Sequence, residues 1–180
     1  MPYENSKLDR KSIRLPNYDY TQDGAYFISL VTHNRECLLS DVVDGQLELR
    51  TIGKIVNDVW KSIPLHFPQA SVDHFVIMPN HIHGIITIVG ARHKVSSLRR
   101  QAVPLLERFG KPTSGSIPTI IRSFKSEATR RVNIMRKSPG VKLWLRNYYE
   151  HVIRDEQGFQ SIVEYILANP QNWHDDKYFR

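Results

Sequence analysis

Apolar residues along this chain fall at two alternating spacings, and each change of spacing marks a new element. Residues 25–32 (AYFISLVT) are aromatic and β-branched and predict a strand. Residues 41–49 predict a short hairpin around Asp44-Gly45. From Thr51, apolar residues at Ile52, Ile55, Val56, Val59, Trp60 and Ile63 follow helical spacing, with Thr51 as N-cap and Pro64 as the stop. Two further strands, 72–78 and 81–89, flank a turn at Pro79-Asn80. Residues 91–115 mix Gly, Pro, Ser and Arg and predict a long loop, with a short helix around 96–107. Ile117, Ile120, Ile121, Phe124 and Ala128 mark the next helix, whose other face carries Arg122, Lys125, Ser126, Thr129 and Arg130. A Pro-Gly loop over 134–143 then leads to a strand over 143–153. The last helix begins at Asp155 or Gln157, turns Phe159, Ile162, Val163 and Ile166 inward, and ends at Asn169-Pro170.

The order is β-α-β-β-α-β-α, which predicts an α+β fold close to the ferredoxin-like (RRM-like) arrangement. In that arrangement an antiparallel sheet carries helices packed mainly on one face. Residues 1–180 suit a single domain, with 1–24 a basic N-terminal arm and 91–115 a basic loop.

Charge sharpens this picture. The chain carries a net +7 with a pI near 9.6, but the excess is concentrated. Residues 92–137 hold twelve Lys and Arg against only Glu107 and Glu127, so the remainder is net acidic. A basic stretch of this kind predicts a surface for phosphates. One cysteine, Cys37, allows no internal disulfide, the first twenty residues lack an apolar run, and no segment approaches a membrane span. The expected location is cytoplasmic.

Two sites carry chemistry. In HFVIMPNHIHGIITI, His81 and His83 stand two apart on a strand, so both imidazoles point to the same face while Ile82 points to the other. Two imidazoles can hold one divalent cation and leave positions open for a substrate phosphate. His74 is a possible extra ligand, with a structural role favoured. In QSIVEYILANPQNW, Tyr165 and Asn169 are four apart and share one side of the last helix, beside its apolar stripe. From there Tyr165 can lean over the sheet, and Asn169 can offer an amide oxygen to the cation.

Together these stretches resemble a known family, the HUH single-stranded-DNA transposases, and within it the IS-type and REP-associated tyrosine transposases. The similarity is carried, in the family's order, by RKSIRLPNYDYTQDGAYFISLVTHNRE, FVIMPNHIHGIITI, IIRSFKSEATRRVN, WLRNYYEHVIRDE and YILANPQNW, which span almost the whole chain. The resemblance implies that His81 and His83 bind metal, that Tyr165 is the nucleophile, and that Asn169 is the third ligand, a position held by glutamine in some relatives. Tyr148 and Tyr149 stand in another strong motif and are rivals to Tyr165.

The resemblance further implies a metal-dependent single-stranded DNA endonuclease and strand transferase, using Mg²⁺ or Mn²⁺. It would cut next to DNA hairpins through a 5′-phosphotyrosine intermediate with a free 3′-hydroxyl. Single-stranded DNA with hairpin structure is the expected partner. Some relatives act as homodimers sharing active sites and others as monomers. DNA contacts are expected from Arg14, Arg99, Arg100, Arg122, Lys125, Arg130 and Arg154, with Tyr18, Tyr20 or Trp144 available to stack on bases, core packing being favoured for Trp144. Two other readings stay open. One is a non-catalytic or domesticated nucleic-acid-binding protein of the same fold. The other is a metal hydrolase that acts through activated water.

Overall fold

The computed structural model describes residues 18–89 and 113–179. The expectations for the arm up to residue 17 and for the loop over 90–112, including Arg14, Arg99 and Arg100, lie outside the described residues. Seven strands are described: β1 (Gly24–Val31), β2 (Ser40–Val43), β3 (Gln46–Leu49), β4 (Ala70–Ser71), β5 (Phe75–Ile77), β6 (His81–Ile88) and β7 (Tyr149–Ile153). The helices are α1 (Thr51–Lys61), the single turn α2 (Ile63–His66), α3 (Ile117–Arg136) and α4 (Glu156–Ala168). The main sheet is antiparallel in the order β4-β6-β1-β7, with β5 pairing beside β4 along the same edge of β6. β2 and β3 form a separate hairpin, turned by Asp44 and Gly45 at φ 51° and 73°. Positive φ at both central residues gives the tight turn that the Asp-Gly pair predicts.

Side-chain alternation decides what each face of the sheet buries. Tyr26, Ile28 and Leu30 of β1 join Ile82, Ile86 and Ile88 of β6 against Val56 and Trp60 of α1 and Ile120, Ile121 and Phe124 of α3. Phe27 and Ile85 point the other way, into a second cluster with Val76, Met78, Ile153 and Ile166. Both faces of β1 and β6 are therefore apolar, and neither can be left to water. This corrects the expected packing in one respect. α1 and α3 share one face, but α4 lies across the opposite one, because the second apolar face needs its own cover. That face also carries Ser29, His81 and His83, whose side chains are buried.

Several element ends differ from the sequence expectation. Arg50, not Thr51, is the N-cap of α1, and no side chain caps it. Pro64 sits in the first turn of α2 and does not end the helical run. Of the strand expected over 72–78 only β5 forms, and β4 precedes it at Ala70–Ser71. α3 runs on through Ile134 and Met135 before Lys137, at φ 52°, closes it. Only the second half of 143–153 is strand, and Trp144 contributes a single bridge to Thr32. Asp155 is the N-cap of α4, its carboxylate accepting from the Gly158 N–H at 2.7 Å.

Gly84 lets β6 approach α1. A Cβ there would sit 2.7 Å from Trp60 Cζ2 and 3.0 Å from Phe75 Cβ. Trp60 is fully buried and wedged on Phe124, so it has little room to retreat. Gly84→Ala is expected to destabilise the fold by about 1–3 kcal/mol, as overpacking does in a filled core. A urea-unfolding midpoint equal to that of the wild type would contradict this packing.

Candidate metal and tyrosine site

β6 delivers His81 and His83 to one face, with ring centroids 4.4 Å apart. Each Nδ1 is tied down from behind. Ser29, opposite His83 in the β1–β6 register, places its hydroxyl 2.7 Å from His83 Nδ1. Asn80 Oδ1 lies 2.9 Å from His81 Nδ1. Asn80 Oδ1 can only accept, so His81 carries its proton on Nδ1. Tyr165 Oη lies 3.1 Å from His83 Nε2 and donates to it when His83 likewise keeps its proton on Nδ1, donated to Ser29. Both Nε2 lone pairs then face inward, which is how imidazole ligands are commonly held.

α4 supplies the opposite wall. The Tyr165 ring packs 5.2 Å from the His83 ring and 6.1 Å from Phe27, and is 41% exposed, so its hydroxyl lies at the boundary between core and solvent. Asn169, one turn on, is buried. The structure thus brings together His81, His83, Tyr165 and Asn169, all four within one chain. Among the described residues, His81 Nε2 and Asn169 Oδ1 are buried without a hydrogen-bond partner. Two inward-facing acceptors left bare in a buried site suit a bound cation, and an imidazole and an amide oxygen are chemically fit to hold one.

Sequence reasoning missed three polar neighbours. Ser29 is legible in retrospect as the lone aliphatic hydroxyl within the apolar run of β1, and Asn80 as the residue before the histidine pair. Asp176 follows the short helical turn Trp173–Asp175, and nothing in its surrounding polar sequence sets it apart. Its carboxylate Oδ2 lies 3.9 Å from His81 Nε2 and 4.0 Å from His83 Nε2. His74 packs edge-on against Phe159 at 5.7 Å, away from this cluster.

The expected DNA-contacting residues are dispersed. Arg122 and Arg130 are exposed on α3, where Arg130 pairs with Glu127, and Arg154 is exposed after β7. Lys125 donates to the carbonyls of Leu145 and Arg146, at 2.5 and 3.0 Å. Tyr20 and Trp144 are buried, Tyr20 against Tyr18 and Tyr26 and Trp144 against Phe124, because their rings complete the main core. That corrects the expectation that Tyr20 is available to stack on bases, and it agrees with the core packing favoured for Trp144.

Burial dominates the electrostatics. It pushes the His81 imidazole down to about 4 and the His83 imidazole down to about 2. It also raises the Tyr165 hydroxyl, with the Asp176 charge adding to the effect. Both imidazoles are therefore neutral, the ligand form, throughout the physiological range. In the unfolded chain each returns to 6.5 and takes up a proton as pH falls. The unfolded state then binds more protons, so stability must fall on acidification. With metal chelated, stability is expected to decline from about pH 6.5 toward pH 4, by up to about 1.4 kcal/mol per pH unit for each imidazole. Urea titrations at pH 7 and 5 test this, and equal midpoints would contradict the neutral, buried pair.

The site is thus an antiparallel sheet bearing a His-x-His pair, closed by a tyrosine on α4. A scan of known family models finds no match. An uncharacterised protein of Haemophilus influenzae is 41% identical over 174 residues, covering 94% of this chain and 93% of that protein. Another protein of the same organism, named "Putative REP-associated tyrosine transposase", is 25% identical over 159 residues, covering 87% of this chain and 76% of its own length. The fold matches a REP-associated tyrosine transposase solved bound to a REP hairpin. The TM-score there is 0.59 at 18% identity, covering 88% of this chain and 73% of that one. In sequence and in fold, the chain is thus similar to REP-associated tyrosine transposases. Among the described residues, no helix is long and apolar enough to cross a membrane.

Proposed function

We propose that this protein is a metal-dependent single-stranded DNA endonuclease and strand transferase of the HUH type, cutting beside DNA hairpins through a 5′-phosphotyrosine. The observation that carries the reading is the Tyr165 hydroxyl, 3.1 Å from His83 Nε2 at the open edge of an otherwise buried donor cluster. We read the strand order as the ferredoxin-like (RRM-like) arrangement, in which the two central strands, β1 and β6, present the site.

In this reading His81, His83 and Asn169 hold Mg²⁺ or Mn²⁺. The bound cation supplies charge neutralisation to the non-bridging oxygens of the scissile phosphate. Tyr165 Oη attacks phosphorus in line with the 3′ oxygen. One P–O bond forms to the tyrosine as the bond to the 3′ oxygen breaks, and that oxygen leaves as a 3′-hydroxyl after taking a proton. The phosphodiester is conserved, so a second 3′-hydroxyl can reverse the step and join strands without ATP. Tyr165 begins protonated, since burial raises its hydroxyl, and it must lose that proton as it attacks. Phe27 stacks on His83 at 5.3 Å and keeps water from the rear of the ring.

The hairpin partner is proposed from the relative solved with a REP hairpin. A cleft of about 300 Å³ between α3 and residues 140–146, lined in part by Lys125, Lys142 and Arg146, offers charge to a phosphate backbone. The decisive experiment is incubation of the protein with labelled single-stranded hairpin DNA from the flanks of its own gene, with Mg²⁺ or Mn²⁺. A denaturing gel should show a slow-migrating covalent adduct. Cutting without any adduct would point instead to activated water. Binding with neither would point to a non-catalytic nucleic-acid-binding protein.

A further inference from the structure

We infer that Asp176, brought in by the C-terminal segment, is a carboxylate ligand of the same cation as His81 and His83. The inference rests on the metal reading above and adds a residue that the histidine and tyrosine motifs do not contain.

Distance is the first argument. At 3.9 and 4.0 Å from the two Nε2 atoms, Asp176 Oδ2 is too far for a hydrogen bond to either. Two donors held about 2.1 Å from one ion lie between about 3 Å apart, when adjacent, and about 4.2 Å apart, when opposite. The observed separations fall inside that interval. One donor atom from each of the three residues lies within 4.8 Å of the others, and among the described residues no other group of this kind occurs.

Burial is the second argument. The Asp176 side chain is only 3% exposed. Its Oδ1 accepts the Tyr178 N–H at 2.6 Å, and its Oδ2 meets the Asn169 amide at 3.4 Å. These neutral dipoles orient a carboxylate without cancelling its charge. The nearest basic residue in sequence, Lys177, directs its ammonium toward the rings of Tyr149 and Tyr178, at 5.3 and 4.9 Å. A buried anion facing two inward lone pairs is the arrangement a divalent cation resolves.

The third argument is how the segment is held. Asn80 uses both ends of its amide. Oδ1 meets His81 Nδ1, and Nδ2 donates to the Tyr178 carbonyl at 2.7 Å. One buried side chain thus fixes the orientation of His81 and the turn that carries Asp176. Chemistry agrees with geometry. A pair of imidazoles alone suits softer ions, whereas an added carboxylate favours Mg²⁺ or Mn²⁺.

The test is Mn²⁺ titration of the full chain by calorimetry, with folding checked by circular dichroism. Asp176→Asn keeps size and hydrogen-bonding capacity but removes the charge. It is expected to weaken Mn²⁺ binding roughly 10- to 100-fold, and Asp176→Glu should recover part of the loss. Wild-type or tighter binding by a folded Asp176→Asn overturns the inference. Should the amide variant fail to fold, Asp176→Glu carries the test alone: altered Mn²⁺ affinity supports the ligand role, and unchanged affinity overturns it. His83→Ala, run in parallel, separates the two levels. If it too binds Mn²⁺ like the wild type, the metal reading itself fails. If it loses the ion while Asp176→Asn does not, only the assignment of Asp176 falls.

Discussion

Tyr165→Phe will abolish the covalent protein–DNA adduct and leave hairpin binding nearly intact. The substitution removes one oxygen and keeps the ring that packs against His83 and Phe27. Its cost to folding is one hydrogen bond at a half-exposed position, about 1 kcal/mol or less. In the proposed reaction its cost to chemistry is the nucleophile itself, so cleavage should fall at least about 10³-fold. Tyr149 is the control. It is 45% exposed on β7, 6.3 Å from Phe27, with the Lys177 ammonium over its ring. Tyr149→Phe should keep the adduct. Tyr148 packs against the main core and is expected to lose stability before it loses chemistry. The assignment fails if the adduct survives in Tyr165→Phe and disappears in Tyr149→Phe.

How far the sequence reaches depends on how far each signal extends along it. β1, β6, α1, α3 and α4 are long and strongly periodic, and their positions could be read directly. The histidine pair was legible because strand alternation alone puts two residues i and i+2 on one face. Tyr165 and Asn169 were legible as a helical pair, though only the fold shows that α4 crosses the face where the imidazoles point. Residues 143–153 misled because Leu143 and Trp144 are buried and apolar like a strand, whereas 145–147 are exposed and, beyond the Leu145 N–H bond to the Val31 carbonyl, leave the ladder. The end of α3 was hidden because Ile134 and Met135 are exposed, so no inward stripe marks that turn. Tyr20 looked available for bases because sequence gives an aromatic ring no burial. Asp176 could not have been chosen over Asp175, since only the Asn80–Tyr178 contact selects the turn that points one of them inward.

His81→Ala and His83→Ala are each expected to remove metal binding and cleavage, and the double variant should be scarcely worse than either. The reason is that, in the proposed site, the two imidazoles act as one donor set. With one Nε2 gone, the remaining nitrogen has no partner imidazole with which to share the ion. Residues that act as a unit are non-additive in this way. The folding consequences should differ between the two. His83 packs on Phe27 and bonds Ser29, so its truncation opens a cavity in the second core. His81 instead bonds Asn80 and contacts Tyr178, so its loss loosens the C-terminal segment. Both variants should bind Mn²⁺ at least about 100-fold more weakly by calorimetry, and the wild type in excess chelator should match them in cleavage. The proposed hairpin binding, assigned to Lys and Arg, should persist and weaken with salt in all of them. A single variant that still cuts DNA only when Mg²⁺ or Mn²⁺ is added would place the cation elsewhere, and the chemistry would then have to be rebuilt around a different cluster.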